Sequence, residues 1–99
     1  MSYWLHPSAE KELAEAAIYY AEQASGRIAS ALLIEFERVI ALLSRNQTLG
    51  TLADGGLRIH PFRRFPYSVV YREAETGPQV YAVAHQKREP GYWQDRLQP

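Results

Sequence analysis

The residue types best suited to chemistry gather in the second half of the chain. Arg63 and Arg64 precede the strand-like stretch Tyr67 to Arg72, His85 ends a later one, Val80 to His85, and Lys87, Arg88, Tyr92 and Trp93 follow it. A guanidinium offers a planar fork of donors that fits phosphate or carboxylate, and a neighbouring ring supplies a stacking surface. If the two stretches pair antiparallel, the end of the second lies beside the start of the first. Arg63, Arg64, His85, Lys87 and Arg88 then converge on one rim, with Tyr92 and Trp93 as its aromatic surface. In the plainer reading the arginines are solvated and Tyr92 and Trp93 fold back on the core. The pattern alone leaves both open. His85 stands where a general acid or base could act, or it simply terminates its strand.

Other chemistries find no support in the sequence. The histidines His6, His60 and His85 match no metal-ligand spacing, and there is no cysteine to join them, so no metal site or cofactor is expected. Gly55-Gly56 lacks the spacing and the following lysine of a phosphate loop. Ser8, Ser25, Ser30, Ser44 and Ser68 stand in no nucleophile-elbow context. Glu10, Glu12 and Glu15 fall in a helix and read as its solvated face.

Several elements must position these groups. Tyr67 to Arg72 and Val80 to His85 are rich in β-branched and aromatic residues, with Pro66 and Gly77-Pro78 ahead of them. They read as strands joined by the polar loop Glu73 to Pro78. Strict alternation puts Tyr67, Val69 and Tyr71 on one face, and sets Val80, Ala82 and Ala84 against Tyr81, Val83 and His85. Leu57 to Phe62 is a further strand, linked by Arg63-Arg64, and such short links require antiparallel neighbours. At the other end, Tyr3-Trp4-Leu5 reads as a first strand ended by Pro7.

Ser8 reads as the cap of a first helix, whose stripe is Leu13, Ala17, Tyr20, Ala21 and Ala24, with Gly26 as its C′ residue. Ile28, Leu32, Phe36, Val39, Ile40 and Leu43 form the wide apolar face of a second helix. So short a break between them implies an αα-hairpin. Asn46 to Gly56 reads as a loop, and Tyr92 to Leu97 as one helical turn. The expected order is β-α-α-β-β-β in a single α+β domain over residues 1–99. The N-terminal strand and antiparallel αα-hairpin pack on one face of a small antiparallel β-sheet, and the other face is left for a partner or a basic groove.

Composition sets the outer bounds. Acids and bases balance at 11 each, but residues 51–99 hold seven Lys/Arg against five acids, a mildly basic half. No apolar run approaches the roughly 20 residues that span a bilayer. No charged segment followed by an apolar one opens the chain. A cytoplasmic protein without membrane contact is expected.

Taken in order, Leu57-Arg58, Arg63 to Arg72, Val80 to His85, and Arg88-Glu89-Pro90-Gly91-Tyr92-Trp93 with Arg96 resemble the ParE toxins of the RelE/ParE superfamily. So does the opening, Leu5 to Glu10 running into a helix with Tyr19-Tyr20. The resemblance covers nearly the whole chain. It implies the toxin of a type II toxin–antitoxin (plasmid stabilization) system, held in a hetero-oligomer by a cognate antitoxin. ParE members act on DNA gyrase, whereas RelE members cut messenger RNA in the ribosome with basic side chains and a C-terminal aromatic residue. Arg88 matches one such arginine, and Tyr92 or Trp93 the aromatic, so an alternative catalytic set is Arg88, His85 and Tyr92. Ser68, however, stands where RelE-like enzymes carry another arginine, and Arg58 to Phe62 lacks their lysines. Losing those charges removes transition-state stabilisation. The resemblance therefore implies a gyrase inhibitor that touches its target through Arg63, Arg64, Lys87, Arg88, Tyr92 and Trp93 and does not bind DNA directly. A relic that only binds antitoxin is a further alternative. Apolar hairpin faces and open sheet edges suit an added helix or strand. Leu13, Tyr20, Ile28, Leu32, Tyr67 and Tyr71 are the antitoxin-facing candidates.

Overall fold

The structure, a computed structural model, describes residues 2–97; positions 1, 98 and 99 of the expected domain lie outside the described residues. The first strand, β1 (Trp4–Leu5), runs straight into helix α1 (Pro7–Gln23). Pro7 opens the helix, where its missing N–H is no loss. The cap is His6, not Ser8: its Nδ1 accepts the Ser8 N–H at 3.0 Å. Ser25 caps helix α2 (Gly26–Arg45) through Oγ, which accepts from the Ile28 N–H at 3.2 Å. Gly26 is thus the first residue of α2 rather than the end of α1.

Strands β2 (Thr51–Leu52), β3 (Arg58–Pro61), β4 (Tyr67–Arg72) and β5 (Gln79–His85) follow, with single 3₁₀ turns at Asp54–Gly56 and Gln94–Leu97. The sheet order is β1-β5-β4-β3-β2. The hairpin and the α+β class agree with the sequence reading, but two features correct it. The sheet is mixed, because β1 pairs parallel with β5, Trp4 opposite Gln79. The whole helical hairpin and three strands separate these two elements, so no short link fixes their direction. Within the expected loop, β2 pairs antiparallel with β3, and Gly55 and Gly56 at φ 79° and 74° turn the chain between them.

The core lies between the hairpin and one sheet face. Leu32, Phe36, Val39, Ile40 and Leu43 of α2 and Ala9 and Ala16 of α1 pack on Val69, Tyr71, Val80 and Val83. On the opposite face a second cluster joins Leu57, Val70, Tyr81, Ala82, Ala84 and Trp93. The chain's own C-terminal segment therefore covers part of the face expected to await a partner. Strict alternation holds in β4 but not in β5. There Val70 pairs with Ala82 and Tyr71 with Val80, leaving Tyr81 as an extra residue. This bulge puts Val80 and Val83, three apart, on the same face.

Candidate functional site

Antiparallel pairing sets Tyr67 opposite His85, and their rings meet edge-on with centroids 5.1 Å apart. Past His85 the chain bends at once. His85 Nδ1 accepts from the Lys87 N–H at 3.1 Å, and the Arg88 N–H donates to the His85 carbonyl at 3.0 Å. Arg88 comes to lie over the Tyr92 ring, with Cζ 3.7 Å from the centroid. Tyr19, Tyr67, His85, Arg88 and Tyr92 line a groove of about 260 Å³ between α1 and the end of the sheet. A second cleft, of about 170 Å³, opens on the opposite sheet face, where Arg88 meets Ser68, Gln86 and the buried Trp93. Arg88 stands at the corner between the two, with 55% of its side chain exposed.

Glu12 forms the floor of the first groove, which corrects its assignment to a solvated face. Arg96 grips the carboxylate with both terminal nitrogens at 2.9 Å, and the Tyr92 hydroxyl donates to it at 2.6 Å. The Val83 N–H donates at 3.0 Å, and Arg88 Nη1 lies 3.6 Å away. Burial alone would raise the Glu12 carboxyl, but the bonds from Arg96, Tyr92 and Val83 outweigh it and hold it below the ordinary glutamate value. Burial, and then the bond to Glu12, push the Tyr92 hydroxyl up, so it stays protonated across the physiological range.

Arg63 and Arg64 are not part of this groove. They line a separate cleft of about 260 Å³ against α2, with Arg38, Glu35 and Phe65. Glu35 draws the turn there: Arg38 donates to it twice at 2.8 Å and the Arg63 N–H once at 2.7 Å. The Arg38 bonds, backed by the Arg63 N–H, overcome burial and hold the Glu35 carboxyl at about 2. The expected single rim is therefore two sites, although the Gln86 N–H still bonds the Pro66 carbonyl between them. On β3, burial and then Arg38 hold the His60 imidazole below its ordinary value.

Of the antitoxin-facing candidates, Leu32 and Tyr71 are fully buried and offer no surface. Leu13, Tyr20 and Tyr67 are partly buried against the core, while Ile28 is exposed. Leu13 also lines an apolar groove of about 540 Å³ on the hairpin, with Tyr3, Leu5, Ile18, Leu33 and Phe36. Ile18 and Leu33, outside the expected antitoxin-facing set, are exposed there. Their signal is an apolar side chain standing off the core-facing stripe. Among the described residues, no group of three or more His, Cys, Asp or Glu could hold a metal ion, and no helix is long and apolar enough to cross a membrane.

The family model for the ParE toxin of the type II toxin-antitoxin system, parDE, matches residues 3–90. This chain belongs to the ParE toxin family. The ParE fold is shared with a solved chain of the chromosomal ParDE TA system from P. aeruginosa, at TM-score 0.74 and 19% identity, covering 86% of this chain and 95% of that one. No curated protein matches. The ParE family match stops at Pro90, so Tyr92, Trp93 and Arg96 lie beyond it while Glu12, which binds Tyr92 and Arg96, lies inside it.

Proposed function

We propose that this ParE-family chain is a cytoplasmic, protein-binding inhibitor of DNA gyrase, neutralised by a cognate antitoxin. The observation that carries inhibition by contact over RNA cleavage is the bond from Tyr92 to Glu12. A hydroxyl that donates at 2.6 Å to a carboxylate, with its ionisation pushed up, is poorly placed to take a proton from a ribose hydroxyl. Glu12 also engages Arg96 and stands near Arg88, which leaves less free positive charge for a phosphate, and Ser68 adds none. What remains is a partly exposed Arg88 stacked on a ring, a pairing typical of residues that dominate protein interfaces. Gyrase as the target comes from the family resemblance. Zero formal net charge, with the basic groups divided between two clefts, supports a protein target over direct DNA binding.

For the antitoxin, the apolar hairpin groove supports docking of an amphipathic helix in a toxin–antitoxin hetero-oligomer. The test is gyrase supercoiling with the purified chain, run beside ribosome-programmed messenger RNA cleavage. Inhibited supercoiling with intact RNA is the expected result. RNA cut at codon positions with gyrase unaffected overturns the reading in favour of the ribonuclease. Inactivity in both assays, from a folded chain that binds antitoxin, marks a relic.

A further inference from the structure

We propose that Glu12 is the positioning residue of the target-binding segment: from α1 it fixes residues 86–97 against the edge of β5 and so sets where Arg88 and Tyr92 stand. The inference rests on the contact reading above and names the group on which that surface depends.

One edge of the sheet is incomplete. β1 pairs with β5 only at Gln79 and Val80, so β5 runs on past the end of its neighbour. Two backbone groups of that uncovered stretch are met by side chains. The Val83 N–H donates to Glu12 Oε1 at 3.0 Å, and the Tyr81 carbonyl accepts from Arg96 Nη1 at 3.0 Å. Glu12 and Arg96 then bind each other through both carboxylate oxygens. The pair acts as a substitute strand, filling a donor and an acceptor that would otherwise lack partners.

Sealing the edge would need only these bonds. Glu12 reaches further, taking the Tyr92 hydroxyl and standing 3.6 Å from Arg88. Tyr92 in turn lies under the guanidinium of Arg88. One carboxylate thus fixes the ring and, through the ring, the cation. Serving so many donors takes two oxygens on a side chain of this length. Glutamine presents one acceptor, and aspartate is a methylene short. The segment has other anchors, Trp93 in the second core cluster and Gln94 Nε2 bonded to the Asp54 carbonyl at 3.3 Å. Losing the carboxylate should therefore loosen the position of Tyr92 and Arg88 without detaching the segment.

The experiment compares the full chain with Glu12→Gln, Arg88→Ala and the double variant. Supercoiling inhibition, antitoxin affinity and amide exchange by mass spectrometry are measured for each. Glu12→Gln should keep the exchange protection of α2 and β4, speed exchange across 86–97, and weaken inhibition about tenfold, as when a dominant interface contact is misplaced. It should leave antitoxin affinity unchanged. Arg88→Ala should add little in the Glu12→Gln background, because its contact is already displaced. Wild-type exchange across 86–97 and wild-type inhibition in Glu12→Gln, or full additivity of the two substitutions, overturn the proposal.

Should Glu12→Gln fail to fold, Tyr92→Phe removes one bond to Glu12 but keeps the ring, and should give a smaller loss in the same direction. Unchanged exchange and inhibition there overturn the proposal equally. If the wild-type chain leaves gyrase untouched, the contact reading fails. The exchange of 86–97 in Glu12→Gln then decides the positioning role alone.

Discussion

Tyr71 shows how much structure one hydroxyl can hold. Its side chain is fully buried under the hairpin, and its hydroxyl donates to the Gln47 carbonyl at 2.7 Å and accepts from the Gly50 N–H at 2.9 Å. Tyr71→Phe leaves both backbone groups without this partner, which should lower stability by about 1–3 kcal/mol in a denaturant titration with the fold otherwise kept. Glu35 carries a pH dependence of definite sign. Its folded carboxyl titrates at about 2 against an ordinary value of 4.5. The stabilisation is therefore fully present above pH 4.5 and lost as pH falls toward 2. Glu35→Gln should flatten the fall in melting temperature across that window, while a slope equal to wild type would refute the assignment. Glu12 marks the limit of reading charge along the sequence. Glu10, Glu12 and Glu15 look like one acidic face, yet Glu12 falls in line with the buried Ala9 and Ala16 at spacings of three and four. That alignment was the available clue. The partners at Tyr92 and Arg96 were not legible, because nothing local ties positions so far apart in the chain.

At the scale of elements, most of the architecture was written in local pattern. The wide stripe of α2, the break at Ser25, and the strands around Val69 and Val83 follow from periodicity and turn residues. What escaped depended on distant contact. β2 has two exposed residues and so no apolar pattern to betray it. The direction of β1 was set by β5, not by a turn. The bulge at Val80–Tyr81 shifts alternation by one step, and no glycine flags it. The convergence of Arg63 and Arg64 with Arg88 was a sound deduction from strand pairing. The pairing does bring Pro66 beside Gln86, but Glu35 on α2 accepts the Arg63 N–H, and Arg63 and Arg64 line a cleft with Arg38 rather than the Arg88 groove. The alanines of α1 do leave a checkable mark. Ala9 and Ala16 are buried between α1 and the sheet and let the two lie close. Ala9→Leu should overpack that contact and lower stability by about 1–3 kcal/mol, read as an earlier thermal transition.

For the whole molecule, stability and partner are linked. An antitoxin seated on the native hairpin groove adds stability by mass action, about 2.7 kcal/mol at a free concentration of 100 times its dissociation constant. The melting temperature should climb steadily with added antitoxin, and a flat response at saturation would rule out binding to the folded state. The pairing of β1 with β5 bears on how the protein is made. Trp4 must wait for Gln79, so a chain leaving the ribosome can close its helical hairpin early but cannot complete its sheet until β5 has emerged. Nascent and truncated chains therefore lack the strand end on which Arg88 and Tyr92 are mounted.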